Sequence, residues 1–187
     1  MTDLIAVPLA EGFEETEAVA IVDVLRRAEI ETVTVSLADR QVPGGHGITV
    51  TADRTWEELD EDAVTAIVLP GGMPGTTNLM GDPRVLALVR RLHGEGRLTA
   101  AVCAAPLVLA EAGLLSPEIE FTCHPSTRER LGELRPSEGP RVVRSGTILT
   151  SQGPGTALEF ALEVVAVLRG PEVADRLAEA MLVPRGG

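Results

Sequence analysis

Leu98-Thr99-Ala100-Ala101-Val102-Cys103-Ala104-Ala105-Pro106-Leu107-Val108-Leu109 is the stretch on which the fold turns. Leu98 to Val102 is an apolar run of strand length. Ala104 to Ala112 has the length and composition of a helix, with Gly113 as its stop. Cys103 stands at the join, and Ala100, Ala101, Ala104 and Ala105 around it are small. A strand that turns sharply into a helix needs such neighbours to thrust one side chain outward. A helix N-terminus behind a sulfur favours the anion, and such surroundings bring a thiol from about 8.5 down to about 3.5–7.5. The competing reading is a buried structural cysteine, a common fate of this residue.

The same strand-then-helix alternation extends in both directions. Leu4 to Leu9 is a continuous apolar run that reads as a buried parallel strand. Glu14 to Ala28 repeats apolar residues at helical spacing, with acidic residues at its start. Thr32 to Ser36 is a second strand, Ile48 to Thr51 a short one, and Val64 to Leu69 another buried one, stopped by Pro70-Gly71-Gly72. Trp56 to Leu59 reads as a helical turn. Asp82-Pro83 opens a helix that runs to about His93. Glu120 to Cys123 reads as a short strand. Val142 to Arg144 and Thr147 to Thr150 flank Ser145-Gly146 as a hairpin. Gly153-Pro154-Gly155 opens a long helix to Leu168, and Glu172 to Met181 forms the last one. The alternation predicts an α/β fold with a mostly parallel sheet and helices on both faces, as a single domain over residues 1–187. Ligands of such sheets bind at the carboxyl ends of the strands.

Composition narrows the function classes. The chain has 187 residues, 44% of them hydrophobic, and no apolar run near the ~20 residues of a membrane span. Met1 to Asp3 carry no basic leader, so the cytoplasm is the expected compartment. The net charge is −12, with 28 acidic residues against 16 basic ones, all arginine. Such a surface argues against nucleic acid and against anionic membranes. It fits either a high-salt source or a genome that favours arginine codons. Two cysteines, Cys103 and Cys123, are too few for a disulfide framework and lack metal-type spacing, so no metal or cofactor is expected. The terminal Leu182-Val183-Pro184-Arg185-Gly186-Gly187 looks like a protease-cleavage tag, and its last residues are set aside from the functional reading.

Several residues join Cys103 on the predicted rim. Glu17 lies just beyond the first strand, and its helical phase differs from those of Glu14 and Glu15. Spacing alone leaves the three carboxylates open, with a solvated helix start the ordinary fate of Glu14 and Glu15. His124 follows a predicted strand end, where a histidine can move protons. His46 and His93 have no such setting. Gly71-Gly72 can leave backbone N–H groups free, and with Ala104 N–H such a group could hold an oxyanion. No Lys-Ser/Thr follows, so this is no phosphate loop.

Taken in order, Glu11-Gly12-Phe13-Glu14-Glu15-Thr16-Glu17, Leu69-Pro70-Gly71-Gly72, Ala101-Val102-Cys103-Ala104-Ala105-Pro106, Cys123-His124-Pro125 and Thr150-Ser151-Gln152-Gly153-Pro154-Gly155-Thr156 resemble the ThiJ/PfpI family over nearly the whole chain. Within it the chain resembles the deglycase-like subfamily associated with Parkinson disease. The resemblance implies a flavodoxin-like (class I glutamine amidotransferase-like) sandwich and a homodimer. It implies Cys103 as nucleophile, Glu17 as the acid on its sulfur, His124 as a nearby histidine, and Gly72 and Ala104 as backbone donors. It implies a cysteine-dependent, glutathione-independent glyoxalase that converts methylglyoxal to lactate, or a deglycase, acting on small carbonyl substrates in carbonyl or oxidative stress. The alternatives are a redox sensor or stress chaperone working through oxidation of Cys103, and a cysteine peptidase or amidase-like hydrolase. Cys123 beside His124 is a candidate second thiol for resolving an oxidised Cys103. Its bland reading is a small buried residue.

Overall fold

The computed structural model describes residues 4–184. Met1 to Asp3 and Arg185 to Gly187, on which the leader and tag readings bear, lie outside them. The strands are β1 (Leu4–Leu9), β2 (Glu31–Ser36), β3 (Gln41–Pro43), β4 (Thr49–Thr51), β5 (Arg54–Thr55), β6 (Val64–Leu69), β7 (Thr99–Val102), β8 (Val142–Ser145) and β9 (Ile148–Ser151). The helices are α1 (Glu15–Arg27), α2 (Gly75–Gly81), α3 (Pro83–Gly94), α4 (Pro106–Glu111), α5 (Ala157–Arg169) and α6 (Pro171–Ala180). Seven strands form one sheet in the order β5-β2-β1-β6-β7-β9-β8, parallel except for β8, and β3 pairs with β4 apart from it.

The apolar strands are buried on both faces, as parallel strands between helices must be. Ile5, Val7 and Leu9 of β1 join Ala66 and Val68 of β6 in a core with Ile21 and Leu25 of α1 and Phe160 and Val164 of α5. The alternate residues Leu4, Ala6, Ile67 and Leu69 pack on the opposite face with Val85, Leu88 and Leu92 of α3 and Val108 of α4. The predicted α/β architecture is therefore present, as a doubly covered, mostly parallel sheet. Among the described residues no helix is long and apolar enough to cross a membrane.

Helix ends follow local chemistry. Glu15 and Glu17 occupy the first turn of α1 and Arg26 and Arg27 its last, each complementing the helix dipole. Asp82 caps α3 by accepting from Arg84 N–H (2.9 Å), with Pro83 in the first turn.

Some predicted elements differ. No strand forms over residues 120–123. The Thr122 N–H turns instead to the Thr150 hydroxyl (2.9 Å), and the Phe121 carbonyl accepts from Ser137 N–H (2.7 Å). The helix after Cys103 starts at Pro106, because residues 103–105 form the turn. The β8–β9 turn centres on Gly146-Thr147, with Gly146 at φ +60°. The glycine-bearing α2 and the short strands β3 and β5 carry too little periodicity to be read from sequence.

Candidate active site

β1, β6 and β7 are neighbours, and from β1 the chain crosses to β2 on one side while β6 lies on the other. The carboxyl ends of these strands therefore open at a point where the connections diverge, which is where ligands enter such sheets. Glu17 follows β1, Gly71 and Gly72 follow β6, and Cys103 follows β7.

The Cys103 N–H donates to the Ser151 carbonyl (2.9 Å), continuing the β7–β9 pairing. Its backbone then turns to φ +63°, a region costly for any residue with a Cβ. Ala105 N–H closes the turn on the Val102 carbonyl (2.9 Å), and the Cys103 carbonyl accepts from His124 N–H (2.8 Å). These bonds hold the strained residue, and its side chain is left partly exposed. The turn also needs glycine across from it. A Cβ on Gly71 would stand 2.7 Å from the Cys103 Cβ and 2.9 Å from Ala104 N.

Glu17 is fully buried. Its Oε2 accepts from the Gly71 N–H (2.7 Å), so a backbone group of the β6 loop orients the carboxyl. The carboxyl also interacts with the Cys103 thiol, although Oε1 makes no hydrogen bond of full geometry with any described residue. The N–H groups of Gly72 and Ala104 face the sulfur. Gly72 has φ +91°, and a Cβ there would stand 2.3 Å from Glu14 N, so only glycine allows this approach.

Burial pushes the Glu17 carboxyl up to about 7, against the lowering effects of the Gly71 N–H and the Cys103 thiol. Burial, then the Glu17 charge and hydrogen bond, push Cys103 up to about 12, against the Gly72 and Ala104 donors. This corrects the expectation of a thiol brought well below its ordinary value. The turn and its donors are present, but desolvation and the adjacent carboxylate outweigh them. The two groups are coupled through one proton. When Glu17 holds it, the repelling charge is gone and the carboxyl can donate to sulfur, leaving a thiolate that faces two N–H groups.

The remaining predicted residues divide. His124 is half-buried; its Nδ1 accepts from Ser126 N–H (3.2 Å) and pairs with the Ser126 hydroxyl (2.7 Å). Gly153 makes room for the ring, since a Cβ there would lie 3.2 Å from His124 Cδ2. His124 therefore flanks Cys103 through the backbone bond, with its ring on the side of the β9 loop. Cys123 is buried in the core on one face of the sheet, whereas Cys103 packs against the core on the other. Burial raises its thiol, against Thr127 and Arg128. That arrangement suits the small buried residue better than a resolving thiol. The His93 ring meets the Thr147 hydroxyl (3.2 Å).

Glu15 is not a solvated helix start. It is 4% exposed, and Oε1 accepts from the N–H groups of His46 (2.7 Å) and Ile48 (3.3 Å) while Oε2 meets His46 Nδ1 (3.0 Å). Burial alone would raise this carboxyl. Its own backbone N–H, the His46 ring and the two loop N–H groups together bring it down to about 2. His46, which had no setting in the sequence, thus joins α1 to the loop before β4. A signal was present in Gly44-Gly45-His46-Gly47: a Cβ on Gly44 would overlap the Glu15 carboxyl at 2.3 Å.

Residues 4–167 match the DJ-1/PfpI family. The chain is 38% identical to "Protein DJ-1 homolog B" of Arabidopsis thaliana over 97% of its own length and 42% of that protein's. The chain thus spans less than half of that relative. It is 30% identical to "Glutathione-independent glyoxalase DJR-1.2" of Caenorhabditis elegans, over 94% of this chain and 93% of that one. Among solved structures, "Toxoplasma gondii DJ-1, oxidized" superposes with a TM-score of 0.92 at 34% identity, covering 98% of this chain and 100% of the other.

Proposed function

The chain belongs to the DJ-1/PfpI family, and from that premise we propose that it is a cysteine-dependent glyoxalase that converts small α-oxoaldehydes to α-hydroxy acids without glutathione. The observation that carries this reading is the buried Glu17 carboxyl coupled to a partly exposed Cys103, with the Gly72 and Ala104 N–H groups on the sulfur. The name of the C. elegans relative supports the choice of reaction.

The proposed course starts with the proton on Glu17. The Cys103 thiolate adds to the aldehyde carbon of methylglyoxal, and the oxygen takes a proton to give a hemithioacetal. Gly72 and Ala104 N–H groups steady the negative oxygen as it forms. Glu17 or His124 then removes the hydrogen from that carbon and returns a proton to the neighbouring one through an enediol. The result is a thioester of lactate, which water cleaves to release the acid and the thiol. One water is consumed; one carbon is oxidised and its neighbour reduced, so no external oxidant is needed.

Incubation with methylglyoxal and assay of lactate test this. Wild type should form lactate catalytically, and Cys103→Ala should lose at least ~100-fold. Equal output from the two would end the proposal. Deglycase action on early glycation adducts is the finer alternative, separated by using a purified adduct free of dicarbonyl. Redox sensing is a second reading, supported by the partial exposure of Cys103 and by the oxidised relative of known structure. It predicts stoichiometric oxidation of Cys103 and negligible lactate. A homodimer is proposed with either reading. Val19 of α1 and Ile48 beside β4 are large apolar side chains left exposed, and a partner copy would cover them.

A further inference from the structure

The lip of the site carries a cation that the reaction above does not use. Met73 follows Gly72, whose N–H faces the sulfur, and its side chain is 44% exposed. Arg130 Nη1 lies 3.8 Å from the Met73 sulfur, which also accepts from the Thr77 hydroxyl at 3.8 Å. Arg130 belongs to the 3-10 segment Pro125–Leu131, which starts from His124, the residue bonded to the Cys103 carbonyl. Two connections, one through Met73 and one through His124, thus tie Arg130 to segments that build the site.

Its chemistry is unspent. Arg128, on the same segment, pairs with Glu138 (2.8 Å), as Arg141 does with Glu159. Arg130 is exposed and has no carboxylate partner among the described residues, in a chain where 28 acidic residues outnumber 16 arginines. The anionic side of the rim is differently disposed. Glu14 Oε2 lies 3.3 Å from His46 Nδ1, the nitrogen that also meets Glu15 Oε2. A thioether is a weak acceptor, and it leaves the guanidinium's remaining donors for a ligand. A guanidinium presents those donors in a fork that matches a carboxylate.

Resting on the glyoxalase reading, we infer that Arg130 is a specificity-determining residue, which binds the distal carboxylate of an α-oxoaldehyde substrate while Cys103 attacks the aldehyde end. The substrate class is then an anionic α-oxoaldehyde, converted with one water to the corresponding α-hydroxy dicarboxylate. Methylglyoxal, with no second acid group, is accepted and lacks this contact.

The test compares two five-carbon α-oxoaldehydes, dioxopentanoate ending in a carboxylate and oxopentanal ending in a methyl group. The readout is the ratio of their kcat/KM values, which is indifferent to the fraction of protein folded. In wild type the ratio should favour the anion. In Arg130→Gln it should fall about tenfold, chiefly through KM, the loss of one charge-assisted contact; Arg130→Lys should recover part of it. A wild-type ratio at or below one, or a ratio that Arg130→Gln leaves in place, overturns the inference while the glyoxalase reading stands. No turnover of either compound by wild type defeats that reading and the inference together.

Discussion

A cysteine held at φ +63° is costly by itself, and neighbours without bulk make it tolerable. Gly71→Ala brings a Cβ to 2.7 Å from that of Cys103 and should cut lactate formation by at least ~10-fold with the chain still folded, since a displaced reacting atom loses rate steeply. Activity alongside circular dichroism checks this. The Glu17 carboxyl gives a thermodynamic signature. Its pKa in the fold, about 7, lies above its ordinary 4.5, so its neutral form stabilises the fold below 4.5, and that contribution is lost as pH rises through 7. Relative to Glu17→Gln, wild type should lose up to about 3 kcal/mol between those pH values, read from urea unfolding at several pH values. A flat difference would place the proton elsewhere. At this scale Cys103 was legible because small residues surround it at a strand end. The Glu17 orientation was not, because the Gly71 N–H that fixes it lies 54 residues away.

Among the elements, the loop between β3 and β4 is fastened to α1 chiefly by the Glu15 carboxylate. Glu15→Ala removes the acceptor for His46 N–H, Ile48 N–H and the His46 ring. It should cost about 1–3 kcal/mol and speed amide exchange at residues 44–48. Asp82→Ala, at the start of α3, should cost about 1 kcal/mol and leave lactate formation in place, because Asp82 accepts from Arg84 at a helix end and bonds no residue of the site. Thermal melts and the lactate assay separate the two variants. The long periodic elements were readable: the apolar runs of β1 and β6 and the helical spacing of α1 announce themselves. The helix α2 was not, since its glycine-bearing sequence has neither a cap nor an apolar stripe. Residues 120–123 have the composition of a strand, but their hydrogen bonds go to the Thr150 side chain and to the loop at Ser137.

For the whole molecule, the doubly covered sheet brings three strand ends together, and that juxtaposition assembles the carboxyl, the donors and the thiol. A net charge of −12 opposes compaction, and added salt should screen it, so thermal stability should rise from low to moderate ionic strength. A fall would mean that the surface ion pairs outweigh the net repulsion. Under the proposed function Cys103 turns over rather than being consumed. Lactate released per chain, measured together with the intact mass of the protein during incubation with methylglyoxal, tests it most directly. Many lactates per chain are expected, with the mass of the recovered protein unchanged. At most one equivalent of lactate, with Cys103 left carrying a permanent adduct or oxide, would contradict it.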